Sequence, residues 1–288
     1  MAAIESNPKI NQHVRSNSFP TAPHTFVSQF EEHLNRLKSS DSASSSSSSL
    51  SHKLSGLQDL QDSSDKFLQL STTQQVLAQK WVDELLDGSL KLLDICTTAK
   101  DCLVQSKESV YEVRSAIRRR GAEAAIITVG SANYLASRKN VKKAIRNALR
   151  DIKGVRNSLT VSSSAKENDM LSMLKEAESV TVSTLESLLY FISEPKGRSK
   201  QSRWSAISKL MQPTRVACDC QEIVTNEFDE VDSALKSLIC QKKHASADNL
   251  QGDLERLEMC IEDLEIGVEG LSRKLVRNRV SLLNIFNN

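Results

Sequence analysis

Between Ser131 and Arg156 the chain places eight cations, Arg138, Lys139, Lys142, Lys143, Arg146, Arg150, Lys153 and Arg156, against the single acid Asp151. The apolar residues of the same stretch, Tyr134, Val141, Ile145, Ala148 and Ile152, recur at helical spacing, so a helix would gather them on one face. A basic amphipathic helix of this kind can hold an anionic lipid surface, a nucleic acid or an acidic protein. Its apolar face lacks the Trp or Phe of a membrane-surface helix, and beyond Tyr134 it has no aromatic to stack on bases, which counts against nucleic acid. Residues 217–270 supply a plainer expectation. They carry fourteen acids and four bases, a net of −10, and the basic helix can lie beside that surface within the molecule.

A second candidate chemistry sits in "HVRSNSFPTAPH", residues 13–24. Arg15, Ser16, Ser18 and Pro20 have the spacing R-S-x-S-x-P that 14-3-3 proteins bind once the second serine is phosphorylated. A phosphate adds about −1.5 to −2 charge, which a basic groove on a partner can clamp. Arg15, three residues before Ser18, is what basophilic kinases require, and Pro20 turns the chain out of the groove.

Catalytic constellations do not emerge. The chain has no Gly-rich phosphate loop, no H-E-x-x-H, no nucleophile elbow and no clustered Cys/His ligand set. Its six cysteines (96, 102, 218, 220, 240 and 260) lack C-x-x-C spacing, and its five histidines are scattered. They read as reduced, mostly core-facing thiols, not as a metal site. The expectation is a protein without enzymatic activity, cofactor or metal.

The elements that would position these residues are helical. Nine glycines, five prolines and 4% aromatics among 288 residues are too few for the turns of a sandwich or barrel. His24 to Lys38 carries Phe26, Phe30, Leu34 and Leu37 on one face. Leu50, Leu54, Leu57, Leu60, Phe67 and Leu68 mark a further helix or helix pair. The strongest signal covers 72–120. There Val82, Leu85, Ser89, Leu92, Cys96, Ala99, Leu103, Ser106, Val110, Val113 and Ile117 alternate in steps of three and four, a heptad seam. Thr72 or Thr73 can cap its start, and Arg118, Arg119, Arg120 and Gly121 close it. Such a helix would be about 70 Å long, and Gly88 could bend it.

An apolar link, "AEAAIITVG", leads to the basic helix, placed at about Ser131 to Lys153. Further helices follow at 166–193, 202–212 and 214–243. The last is capped by Asp248 with Gln251 three residues on, and Leu250, Leu254, Leu257, Ile261, Leu264, Val268, Leu271 and Leu275 alternate four and three. With several comparable amphipathic helices in one chain, an intramolecular bundle of long antiparallel helices is favoured over a dimeric coiled coil. The expected organisation is a disordered tail over 1–23, a short helix over 24–38, a Ser-rich linker over 39–49 and a bundle over 50–288.

Five stretches in order, "HVRSNSFPTAPH", "LSGLQDL", "WVDELLDGSLKLLDIC", "YLASRKNVKKAI" and "RVSLLNIFNN", resemble the plant-specific BYPASS family over nearly the whole chain. The resemblance implies a plant protein linked to root and shoot development with no assigned enzymatic activity. Members near the founding protein are connected with restraining a mobile root-derived signal. No catalytic or ligand residue is carried over.

The function expected is that of a regulator or adaptor acting through protein contacts, with 14-3-3 proteins among the candidates. The alternative is a peripheral membrane protein holding anionic lipid through 131–156. No apolar run approaches the roughly 18 residues of a membrane span, and no secretory segment follows Met1, so the cytoplasm is the expected compartment. The Ser-rich first 50 residues are like a plastid transit peptide, but Glu5, Glu31 and Glu32 count against that reading.

Overall fold

The computed structural model describes residues 23–40, 46–78, 81–119, 124–161, 169–193, 226–240 and 247–287. Among them lie eight helices and no strand: α1 (Pro23–Ser39), α2 (Ser47–Leu68), α3 (Ser71–Ala78), α4 (Val82–Arg118), α5 (Ala124–Val161), α6 (Asp169–Ser193), α7 (Glu227–Cys240) and α8 (Ala247–Asn287). The fold is an all-α bundle.

The two long seams meet each other. On α4, Leu92, Cys96, Ala99, Leu103, Val110 and Val113 are buried, and on α8 so is the run from Leu250 to Leu275. Heptad spacing keeps both stripes facing along the whole contact. A ladder of ion pairs fixes their antiparallel register: Lys100 to Glu269 at 3.6 Å, Lys107 to Glu265 at 3.4 Å and Arg114 to Glu255 at 3.0 Å. The serines of the α4 seam satisfy themselves on their own helix. The Ser106 hydroxyl donates to the Cys102 carbonyl at 2.7 Å and Ser89 to Leu86 at 2.8 Å, so a polar residue on the seam leaves no orphaned group.

Helix α2 lies on the other flank of α8, and here the chains run parallel. Gln58 donates to the Gly267 carbonyl at 3.3 Å, Asn278 to Gln61 Oε1 at 2.7 Å, and Ser281 to Asp65 Oδ1 at 2.7 Å. Helix α1 closes over α2 through Phe30 stacked on Phe67, with ring centroids 5.4 Å apart. Helix α5 packs along α4, and α6 joins both of them to α1 and α2, with Gln61 donating to the Thr181 hydroxyl at 3.1 Å.

Several expected boundaries shift. The linker assigned to 39–49 ends earlier, because α2 starts at Ser47 with Ser46 as its cap, accepting from the Ser49 N–H at 3.2 Å. Serine is a strong N-cap, so the end of the Ser tract begins a helix. The expected single helix over 72–120 is two helices. Trp81 precedes the second, which therefore runs about 55 Å rather than 70 Å, and Thr73 is a buried residue of α3, not a cap. Gly88 is a site of close approach, since a Cβ there would meet the Glu178 carboxylate of α6. The link at 122–130 is helical from Ala124 onward, so α5 is longer at both ends than 131–153.

At α8, the helix already includes Asp248 in its first turn, and the Gln251 side chain donates to Glu255 at 3.2 Å. The fifth predicted helix begins at Asp169. The helix expected over 214–243 is described as Glu227–Cys240. The tail over 1–22, the helix expected at 202–212 and Gly121 lie outside the described residues.

Candidate functional site

The basic helix is built from two different sets of cations. Tyr134, Arg138, Val141, Ile145, Ala148 and Ile152 alternate four and three along α5, and all are buried. Arg138 therefore belongs to the inward seam, where a buried charge requires partners. Its Nε donates to Asp232 Oδ1 at 3.1 Å, and its Nη2 to the Ile192 carbonyl at 2.8 Å. That carbonyl is in the last turn of α6, where backbone acceptors lack helical partners. The guanidinium also lies 4.6 Å from the centroid of the Phe228 ring, a cation–π contact.

Lys142, one residue past the seam, donates to the second oxygen of Asp232 at 2.9 Å. One carboxylate thus holds two cations. Burial pushes the Asp232 carboxyl up, but Arg138 and Lys142 together outweigh it and hold it below the usual carboxylate range. Asn226 reinforces the joint from α7. Its side chain donates to the Phe191 carbonyl at 2.7 Å and accepts from the Asp229 N–H at 2.9 Å, capping α7. Helices α5, α6 and α7 are pinned together at this point.

The remaining cations face outward. Lys139, Lys143, Arg146, Arg150 and Lys153 are exposed, in steps of four, three, four and three, a straight stripe about 21 Å long. Among the described residues none of the five forms an ion pair. Arg150 donates only to Asn147 at 3.2 Å. Arg156, at the end of the stretch, is occupied by Glu186 at 2.6 Å.

The expected pairing of this helix with 217–270 is met at Asp232. The acids of α8 turn instead to α4: Lys107 takes Glu262 and Glu265, and Arg114 takes Glu255 and Glu258.

Sequence reading grouped all the cations on one solvated face. The signal that separates them was the unbroken spacing from Tyr134 to Ile152, which runs through Arg138. Asp232 was missed for the same reason. It sits beside Val231 and Leu235 on the buried face of α7, yet within a run of acids that read as surface.

Three of the thiols are buried and poorly disposed to ionise. Burial pushes Cys96 and Cys260 up to about 12 and Cys102 up to about 11, so they stay protonated. Cys240 is exposed, and Cys218 and Cys220 lie outside the described residues. Among the described residues no three His, Cys, Asp or Glu side chains gather into a metal-holding group. No described helix is long and apolar enough to cross a membrane. Arg15, Ser16, Ser18 and Pro20 lie outside the described residues.

A family model described as Protein BPS1 matches residues 53–285. No curated protein and no solved structure matches the chain.

Proposed function

The chain belongs to the BPS1 family, and from that premise we propose that it is a non-enzymatic regulatory or adaptor protein of plant root and shoot development, working in the cytoplasm through protein contacts. One observation carries this reading: the outward stripe Lys139, Lys143, Arg146, Arg150 and Lys153 stands on a helix whose opposite face is locked into the bundle. Five exposed cations in a row are suited to the acidic face of a partner, where complementary charge raises association rate and selects the mate. The motif around Ser18 adds a regulated second contact, a phosphoserine held by a 14-3-3 protein.

Adsorption to anionic lipid is the second reading, and the same five cations favour it. A membrane-surface helix buries its apolar face about 5–10 Å into the headgroup layer. Here Tyr134, Val141, Ile145 and Ile152 are at most 1% exposed, so only electrostatic attraction is left, at about 1 kcal/mol per cation.

Flotation with phosphatidylserine vesicles at physiological salt separates the two. The adaptor reading predicts that the parent protein stays off the vesicles. Retention of the parent with release of Lys143→Glu/Arg146→Glu would establish the lipid reading instead.

A further inference from the structure

Helix α8 carries a second seam. The first, from Leu250 to Leu275, is buried in the bundle. The second runs along the outer face through Met259, Glu262, Ile266, Glu269, Arg273, Val276, Val280 and Leu283, in steps of three and four without a break. Its apolar members stand in solvent: Met259 is 59% exposed, Ile266 71%, Val276 48%, Val280 50% and Leu283 38%. Lone exposed apolar residues need no explanation, but a regular stripe about 36 Å long marks a contact surface.

The stripe also specifies what covers it, because it is complementary to its own reverse. Reflected about Leu271, Met259 falls opposite Leu283, Ile266 opposite Val276, Glu269 opposite Arg273, and Glu262 opposite Val280. Each pairing joins one of the two alternating heptad positions to the other, as antiparallel helices require. Glu262 is already turned toward Lys107 at 3.2 Å, so its stem can lie on the valine without burying an unpaired carboxylate. Beside the seam, exposed Asp263 comes level with exposed Arg277 of the second copy. Arg277 already reaches Asp62 at 3.3 Å, which leaves it able to share a second carboxylate. A parallel pairing would instead set Glu262 on Glu262, Glu269 on Glu269 and Arg273 on Arg273.

We infer that the outer face of α8 is the contact of a two-fold symmetric, antiparallel homodimer, with Glu269 and Arg273 of both copies crossing at its centre. Such a contact is isologous, the same patch serving both chains. It leaves the cationic stripe of α5 free for a different partner, so the two surfaces act independently.

Light scattering on the full chain tests the inference. The parent is expected at twice 31.9 kDa, and Ile266→Glu/Val276→Glu at the monomer mass with an unchanged melting temperature.

Cysteine pairing reads the register directly. In a background with Cys218, Cys220 and Cys240 replaced by Ser, Met259→Cys/Leu283→Cys is expected to form a covalent dimer on mild oxidation. These positions are 24 residues apart on one helix, about 36 Å, far beyond the reach of an internal disulfide. Met259→Cys alone is expected to cross-link at least tenfold more slowly. A parent that is monomeric at tens of micromolar would overturn the inference. So would a dimer unaffected by Ile266→Glu/Val276→Glu, or a Met259→Cys single variant that links as fast as the double.

Discussion

Arg138 and Asp232 meet at 3.1 Å with side chains 3% and 4% exposed, an ion pair sealed between α5 and α7. Removing one partner of such a pair strands the other charge in the core. Asp232→Ala is therefore expected to destabilise the fold by about 3–5 kcal/mol. An apolar replacement of both, Arg138→Met/Asp232→Leu, is expected to recover most of that loss. Denaturant titration checks the pair of values; equal losses in the single and double variants would contradict the assignment. Because the carboxyl of Asp232 is held low, its contribution is complete above the ordinary aspartate range and is lost as the pH falls through its depressed value. The apolar double variant lacks that acid-side loss.

Two glycines on long helices are expected to respond with opposite sign to the same change. A Cβ at Gly267 would lie 3.1 Å from Leu54 Cβ on α2, whereas one at Gly154 would meet nothing within 4 Å. Gly154→Ala gains helix propensity and is expected to stabilise by about 1 kcal/mol. Gly267→Ala forces the two helices apart and is expected to cost about 1–3 kcal/mol. Thermal unfolding of the two variants side by side gives the comparison.

Glu178, opposite Gly88, costs the fold stability as the pH rises to neutrality. Burial first, and then the charge of Glu84, push its carboxyl up to about 7, against the pull of Lys91 and Lys175. The folded state therefore holds a proton that the unfolded state releases at lower pH. Stability from this group falls as pH rises from the ordinary glutamate range through about 7, and is level above that. Glu178→Gln removes the slope and is expected to exceed the parent by about 1–3 kcal/mol at pH 8, with the gap closing towards pH 4. Parallel stability–pH curves would show that Glu178 ionises normally.

The motif at Arg15, Ser16, Ser18 and Pro20 is tested with synthetic peptides. A peptide of residues 13–24 phosphorylated at Ser18 is expected to bind a 14-3-3 protein, and the same peptide without phosphate to bind at least tenfold more weakly. Equal binding, or none from either, would remove the switch from the account.

What the sequence made legible follows from which residues repeat. The seam from Leu92 to Val113 and that from Leu250 to Leu275 are readable because a heptad pattern survives a serine or an alanine. The break before α4 is less so, since residues on either side of Trp81 continue the same spacing. The basic helix was located, but its division was not. Arg138 and Lys139 are adjacent and alike in charge, and the cue that parts them, the four-and-three spacing through Arg138, asks for a cation to be placed on an apolar seam. The outward seam of α8 was hidden for a related reason, because a second heptad stripe two residues out of phase with a stronger one reads as ordinary surface.

The most direct measurement compares proteins recovered from root tissue with the intact chain and with Lys139→Glu/Lys143→Glu/Arg146→Glu/Arg150→Glu, alongside the melting temperature of each. If the stripe is a docking surface, the variant melts within a degree or two of the parent and loses an acidic partner that the parent retains, by tenfold or more. That partner, once purified, binds the parent and not the variant. Identical recoveries at equal stability would contradict the account, and the cations of α5 would then be no more than a solvated face.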